Sequence, residues 1–220
     1  MSEPVRSGEA LARLDEITRR LRVECPWDRE QDERSIVPHT VEEAYELADA
    51  AHRGDDHKLL DELGDVLFQV VFLSLLLEER GEGDFAAVAE HCRQKLIRRH
   101  PHVFGDTEVS GAADVLRNWD QIKAGEEGRE PGIFGEVPEN LPAPLYARKL
   151  LRRASSAGAE LPAMRVEEHA GAGDFESIGD LMLAVVARAR ELRVDPELAL
   201  RSAADRFRDE IEKEADAASE

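Results

Sequence analysis

At 220 residues the chain has room for one domain or two small ones, and 42% hydrophobic residues suffice for a proper core. A formal net charge of −19 excludes a surface that tracks a nucleic-acid polymer, which needs clustered Lys and Arg. It leaves open a small anionic ligand that arrives with its own cation. Cys25 and Cys92 lack metal-ligand spacing and the N-terminal MSEPVRSGEA lacks an apolar core, so a reduced, cytoplasmic location away from membranes is expected. Ala, Leu, Glu and Arg dominate and no alternating β-branched run suggests a sheet, so the predicted fold class is all-α.

Residues 9–23 predict a first helix, with Leu11, Leu14, Ile17 and Leu21 at helical spacing. Pro26 stops it, and Cys25-Pro26-Trp27-Asp28 reads as a short loop. Trp27 there either stacks on a planar ligand or packs as a lid on the bundle. From Pro38 to Leu77 the sequence reads as two long helices joined by a sharp turn at Gly54-Asp55-Asp56. Glu43 and Glu46 are three apart on the first, Glu62 and Asp65 three apart on the second, so each pair shares a helix face. Folded antiparallel, the pairs face each other, and four carboxylates in one cleft make a divalent-cation site of the oxygen-ligand kind.

Two plainer readings compete. The acids are solvated faces of amphipathic helices, or Thr40-x-x-Glu43 is a capping box that occupies Glu43 at a helix start. Electrostatics favours the metal. Two bare carboxylates about 4 Å apart repel by about 4 kcal/mol at an effective dielectric near 20. The window Glu42 to Asp65 holds nine acids against two bases, a net −7 with no evident internal counter-charge. Directly after Asp65 comes VLFQVVFLSLLL, apolar on nearly every side, which predicts a helix buried all round. It is far short of the roughly 20 residues that span a bilayer.

Asp84 is placed to cap the next helix, whose predicted buried stripe is Phe85, Val88, Ala89, Cys92 and Leu96 and whose expected neighbour is the Val66–Leu77 helix. Pro101 ends it. Lys95, Arg98, Arg99 and His100 form the densest positive cluster, which either complements the helix dipole or receives phosphate oxygens. A helix over about 111–124 carries Trp119 and Lys123, four apart. Residues 125–144, with prolines at 131, 138, 142 and 144, read as a linker between a domain at 1–124 and one at 145–220. The latter is a worn internal repeat: Gly179-Asp180 matches Gly64-Asp65, and Val185-Val186 matches Val70-Val71. Ser177 stands where Glu62 does, and the segment that should hold a Glu-x-x-Glu helix has shrunk to 166–169 plus AGAG. The copy is expected to be structural, because Asp180 alone cannot hold a cation.

Glu42-Glu43-x-x-Glu46, Glu62-x-x-Asp65 within DELGDVLFQVVF, CPWD at 25–28 and RRHPHVFGD at 98–106 together resemble the MazG family of nucleoside triphosphate pyrophosphohydrolases. The resemblance covers about residues 10–125 and continues collinearly to the end. It implies an all-α bundle, a homodimer, and hydrolysis of NTPs or dNTPs to monophosphate and pyrophosphate with Mg²⁺ or Mn²⁺. It assigns Glu43, Glu46, Glu62 and Asp65 as metal ligands and catalytic residues, and Lys95, Arg99, Trp119 and Lys123 as phosphate and nucleotide contacts beside Trp27. No Cys, Ser or His stands in a nucleophile arrangement, so direct attack by water at the α-phosphorus is expected. A ferritin-like di-iron bundle would need Glu-x-x-His on two helices, and the nearest match, Asp49-x-x-His52, occurs once. The non-enzymatic rival is an acidic helical dimerisation or interaction module.

Overall fold

The computed structural model describes residues 6–126, 132–135, 137–138, 140–161, 166–169 and 173–217; among them the regular elements are all helical. The chain divides into two compact units, one ending at Leu96 and the other starting at Ile97.

In the first unit, α1 (Ser7–Glu24) ends at Cys25, and Pro26 opens a five-residue helix, α2 (Pro26–Glu30), at its first position. Trp27 therefore lies in a helical turn rather than a loop: a proline that cannot continue one helix is pre-set to begin another. The buried face of α1 is also offset from the expected stripe. Thr18 is fully buried and donates to the Leu14 carbonyl at 2.9 Å, while Ile17 and Leu21 are exposed. Arg22 gathers three elements, donating to the Asp28 and Gln31 carbonyls and to both oxygens of Glu79.

The long hairpin is α3 (Glu33–Arg53) and α4 (Asp56–Glu79). It starts five residues before Pro38, because Asp32 and Ser35 form a reciprocal capping box. Pro38 is tolerated inside α3 although it cannot donate to the Arg34 carbonyl, and Arg34 itself is exposed. With the cap at Asp32, Thr40 is interior to the helix and Glu43 is not a capping residue. Gly54 ends α3 in the left-handed region (φ 69°), and the Asp55 carboxylate accepts from the His57 and Lys58 amides to begin α4.

The core of the hairpin is Ile36, Phe72 and Leu76, with Phe68 and Leu73 against it. α4 is not buried all round. Its two polar interruptions point inward: Gln69 lies 3.4 Å from Thr40 Oγ1, and Ser74 donates to the Val70 carbonyl at 2.7 Å. Val70 meanwhile remains exposed. Inward polar groups are tolerated here because each finds a partner.

Asp84 caps α5 (Phe85–Arg99) through the Ala87 amide, as expected. The predicted stripe on α5 is not buried, however. Phe85 and Val88 are half-buried, Ala89, Cys92 and Leu96 are exposed, and among the described residues α5 does not lie along α4. The helix is held at its ends instead, by the Asp84 cap and by its terminal arginines.

The second unit takes in the end of α5, α6 (Pro101–Phe104), α7 (Ala112–Ala124), α8 (Ala143–Ser156), a 3-10 turn at Val166–His169, α9 (Phe175–Glu191) and α10 (Pro196–Ala217). This unit begins at Ile97, ahead of the expected linker at 125–144, part of which lies outside the described residues. The reason is local: on α7, Asp120 accepts from Ser156 on α8 at 2.6 Å and pairs with Arg152 at 3.5 Å, so α7 is tied to α8 across the intervening segment. Leu151, Ala154, Ala184 and Val186 supply buried apolar side chains.

Candidate metal centre and cationic cluster

The hairpin brings three of the four predicted carboxylates together. Glu43 on α3 and Glu62 and Asp65 on α4 each offer an oxygen, and these oxygens all lie within 4.8 Å of one another. Ligands on opposite sides of a hard cation, at about 2.1–2.4 Å each, are about 4–5 Å apart, so the spread fits. Glu62 is 2% exposed, and its Oε2 is buried with no hydrogen-bond partner. A buried, unpaired carboxylate oxygen is costly unless a proton or a cation meets it. The donor set is all carboxylate, which suits Mg²⁺ or Mn²⁺ better than softer metals. Burial pushes the pKa of Glu43 up, and the charges of Asp65, Glu46, Glu62 and Glu42 push it further in the same direction.

Glu46 stands outside the group of three. Its carboxylate is 3.8 Å from Lys58 Nζ, and the same ammonium donates to Glu62 Oε1 at 2.6 Å. The cleft therefore contains an internal counter-charge, contrary to the expectation from net charge. The signal was present: Lys58 is four residues before Glu62 on one helix, the spacing at which side chains meet.

Trp27 is half-exposed, with its ring edge-on to His39 at 5.9 Å between centroids. A lid packed into the bundle would be more buried. Lys95 forms no ion pair among the described residues.

Arg99, in the second unit, is far from a simple surface cation. It is 8% exposed, donates to both oxygens of Glu126 at 2.9 and 2.5 Å, and lies over the Trp119 ring at 5.4 Å. Arg98 also donates to Glu126, at 2.7 Å, and His100 meets Trp119 edge-on at 4.8 Å. The hydrogen bonds from Arg99, reinforced by Arg98, hold the Glu126 carboxyl down to about 2. Lys123 is half-buried one turn beyond Trp119 on α7. Nothing in the sequence pattern singled out Glu126, which belongs to no periodic stripe.

Two antiparallel helices of one long hairpin presenting a group of three carboxylates define an all-α protein with a candidate metal centre. Residues 31–104, which contain the whole hairpin, match the MazG nucleotide pyrophosphohydrolase domain. Over 203 residues the chain is 37% identical to the nucleoside triphosphate pyrophosphohydrolase of Escherichia coli K12, spanning 83% of this chain and 77% of that protein. It is 37% identical to the nucleoside triphosphate pyrophosphohydrolase/pyrophosphatase MazG of Thermotoga maritima, over 86% and 78% of the two chains. A Streptomyces cacaoi protein described only as an uncharacterized 26.1 kDa protein is 41% identical over 93% and 82%. The chain belongs to the MazG family.

Proposed function

We propose that this chain hydrolyses nucleoside triphosphates, ribo or deoxy, to the monophosphate and pyrophosphate, in the service of nucleotide-pool house-cleaning. The observation that carries the reading is the buried, unpartnered Oε2 of Glu62 in a group of three carboxylates. The names of the relatives point to the same reaction.

In this reading Glu43, Glu62 and Asp65 hold Mg²⁺ or Mn²⁺, with Glu46 beside them. The ion supplies charge neutralisation for the incoming triphosphate and for the departing pyrophosphate. Glu46, outside the group of three, is the carboxylate left to accept a proton from the attacking water. Lys95, Arg99, Trp119 and Lys123 receive phosphate and nucleotide, and Trp27, half-exposed, offers a ring face to the base. Arg99 reaches phosphate only by sharing or leaving Glu126. Catalysis is assigned to residues 1–124, and 145–220 supports it. The apolar side chains left exposed on the first unit, among them Leu63, Val70 and Leu96, are what a homodimer would cover.

The test is product analysis on a panel of NTPs and dNTPs with and without Mg²⁺. Pyrophosphate and monophosphate in equal amounts, only with the cation, are expected. Release of inorganic phosphate overturns the reading in favour of a different phosphohydrolase, and no release returns the chain to the interaction-module alternative.

A further inference from the structure

The carboxylate group has a resident that the motif pattern does not include. Lys58 Nζ donates to Glu62 Oε1 at 2.6 Å and lies 3.8 Å from Glu46 Oε2, so one ammonium links the buried ligand on α4 to a carboxylate on α3. Joining carboxylates of the two helices is what a cation in this cleft does. Glu46 is also the one predicted ligand missing from the group of three, and it faces Lys58 as Glu62 does. The Lys58 side chain is half-exposed, whereas the Glu62 side chain is buried, so the ammonium can leave toward solvent and the carboxylate cannot follow.

We infer that Lys58 is a built-in competitor for the metal: it occupies the Glu46–Glu62 side of the site without a cation, is displaced when one binds, and thereby sets cation affinity. This rests on the carboxylates being the metal site, as proposed above. The charge of Lys58 weakens cation binding whether it is displaced or stays beside the ion, so affinity alone does not separate the two roles. A lysine that stayed would contribute to melting with the ion bound as well as without it; a displaced one contributes only without it.

Lys58→Met removes the charge and keeps most of the aliphatic stem; Lys58→Arg keeps the charge. Mn²⁺ binding to the full chain is followed by electron paramagnetic resonance, and melting is recorded in EDTA and in saturating Mn²⁺. Lys58→Met is expected to bind Mn²⁺ about fivefold tighter, the equivalent of about 1 kcal/mol for a partly exposed ion pair. Lys58→Arg is expected to stay near wild type. Lys58→Met is further expected to melt lower than wild type in EDTA and at the same temperature in Mn²⁺, because the loaded protein no longer uses the lysine. Weaker Mn²⁺ binding by Lys58→Met, or an equal loss of melting temperature in both conditions, makes Lys58 a supporting residue and overturns the inference. Unchanged affinity overturns it as well. If wild type and variant alike bind no Mn²⁺, the metal-site reading itself has failed and the inference falls with it.

Discussion

The hairpin α3–α4 and the stretch from the Val166–His169 turn through α9, which we propose to be a worn repeat of it, differ in what their helix starts do. Their buried faces keep the same register. Gln69 and Val71 are buried on α4, and Ala184 and Val186, the residues aligned with them, are buried on α9. The difference lies one or two turns upstream. α4 begins at Asp56, six residues before Glu62, so that Glu62 is well inside the helix and buried. α9 begins at Phe175, and Ser177, in the place of Glu62, is drawn into a capping box with Asp174. Among the described residues, the element ahead of α9 is a 3-10 turn of four residues, and Asp180 is exposed as Asp65 is. A later helix start puts a cap at the position of the proposed ligand, while the packing face is kept.

The sharpest way to break this comparison is to remove the aligned acids one at a time. Glu62→Gln keeps the volume and removes a ligand charge, and kcat/KM is expected to fall by roughly a hundredfold or more with helicity intact. Asp180→Asn is expected to leave turnover at the wild-type level. Equal damage from both would restore a working site to the second copy.

Next in size is the response to cation. At a hundred times its dissociation constant Mg²⁺ should stabilise the protein by about 2.7 kcal/mol. Glu62→Gln should lose most of that gain and Asp180→Asn none of it, as read from melting in EDTA and in Mg²⁺.

Arg99→Ala probes the second unit away from the repeat. It strips one guanidinium from the part-buried Glu126 and leaves Arg98, and we expect about 2 kcal/mol of lost stability. Lys95→Ala, which breaks no ion pair among the described residues, should melt like wild type. If both residues also meet phosphate, both variants lose kcat/KM, and only Arg99→Ala loses stability with it.

The smallest expected effect is a pair of pH trends with opposite signs. Glu43 has its folded pKa raised, so in EDTA it costs stability at neutral pH, and that cost is relieved as pH falls toward the ordinary carboxylate range near 4.5. Glu126 is held down to about 2, so its contribution is complete above about 4.5 and is lost as pH falls through about 2. Melting in EDTA should thus rise slightly on mild acidification and then fall. Glu43→Gln should remove the rise and leave the fall.

Much of the fold was legible in the sequence because it is local. The Gly54-Asp55 turn, the Asp84 cap, the stop at Pro101 and the α7 helix each rest on a few adjacent residues with strong backbone preferences. The three-apart carboxylates were legible for the same reason. Features that escaped reading depended on distance or on competition between signals. Pro38 looked like a helix boundary until the Asp32–Ser35 box placed the start five residues earlier. The exposed stripe on α5 shows that an amphipathic pattern states what a helix can bury, not whether this chain buries it. Counting charge over a window hid Lys58, whose effect depends on the one carboxylate it reaches. Glu126 takes its meaning from two arginines at the end of α5.

The tight turn at Gly54 has a consequence for the time course of folding. All three grouped carboxylates come from one hairpin closed by a two-residue connection, so their approach needs little loop closure and belongs with the earliest local contacts. The repulsion among them is then met on the way up the barrier rather than after it. Mg²⁺ should accordingly quicken refolding, with the acceleration visible in the folding limb of a chevron plot, whereas a site assembled late would slow unfolding instead.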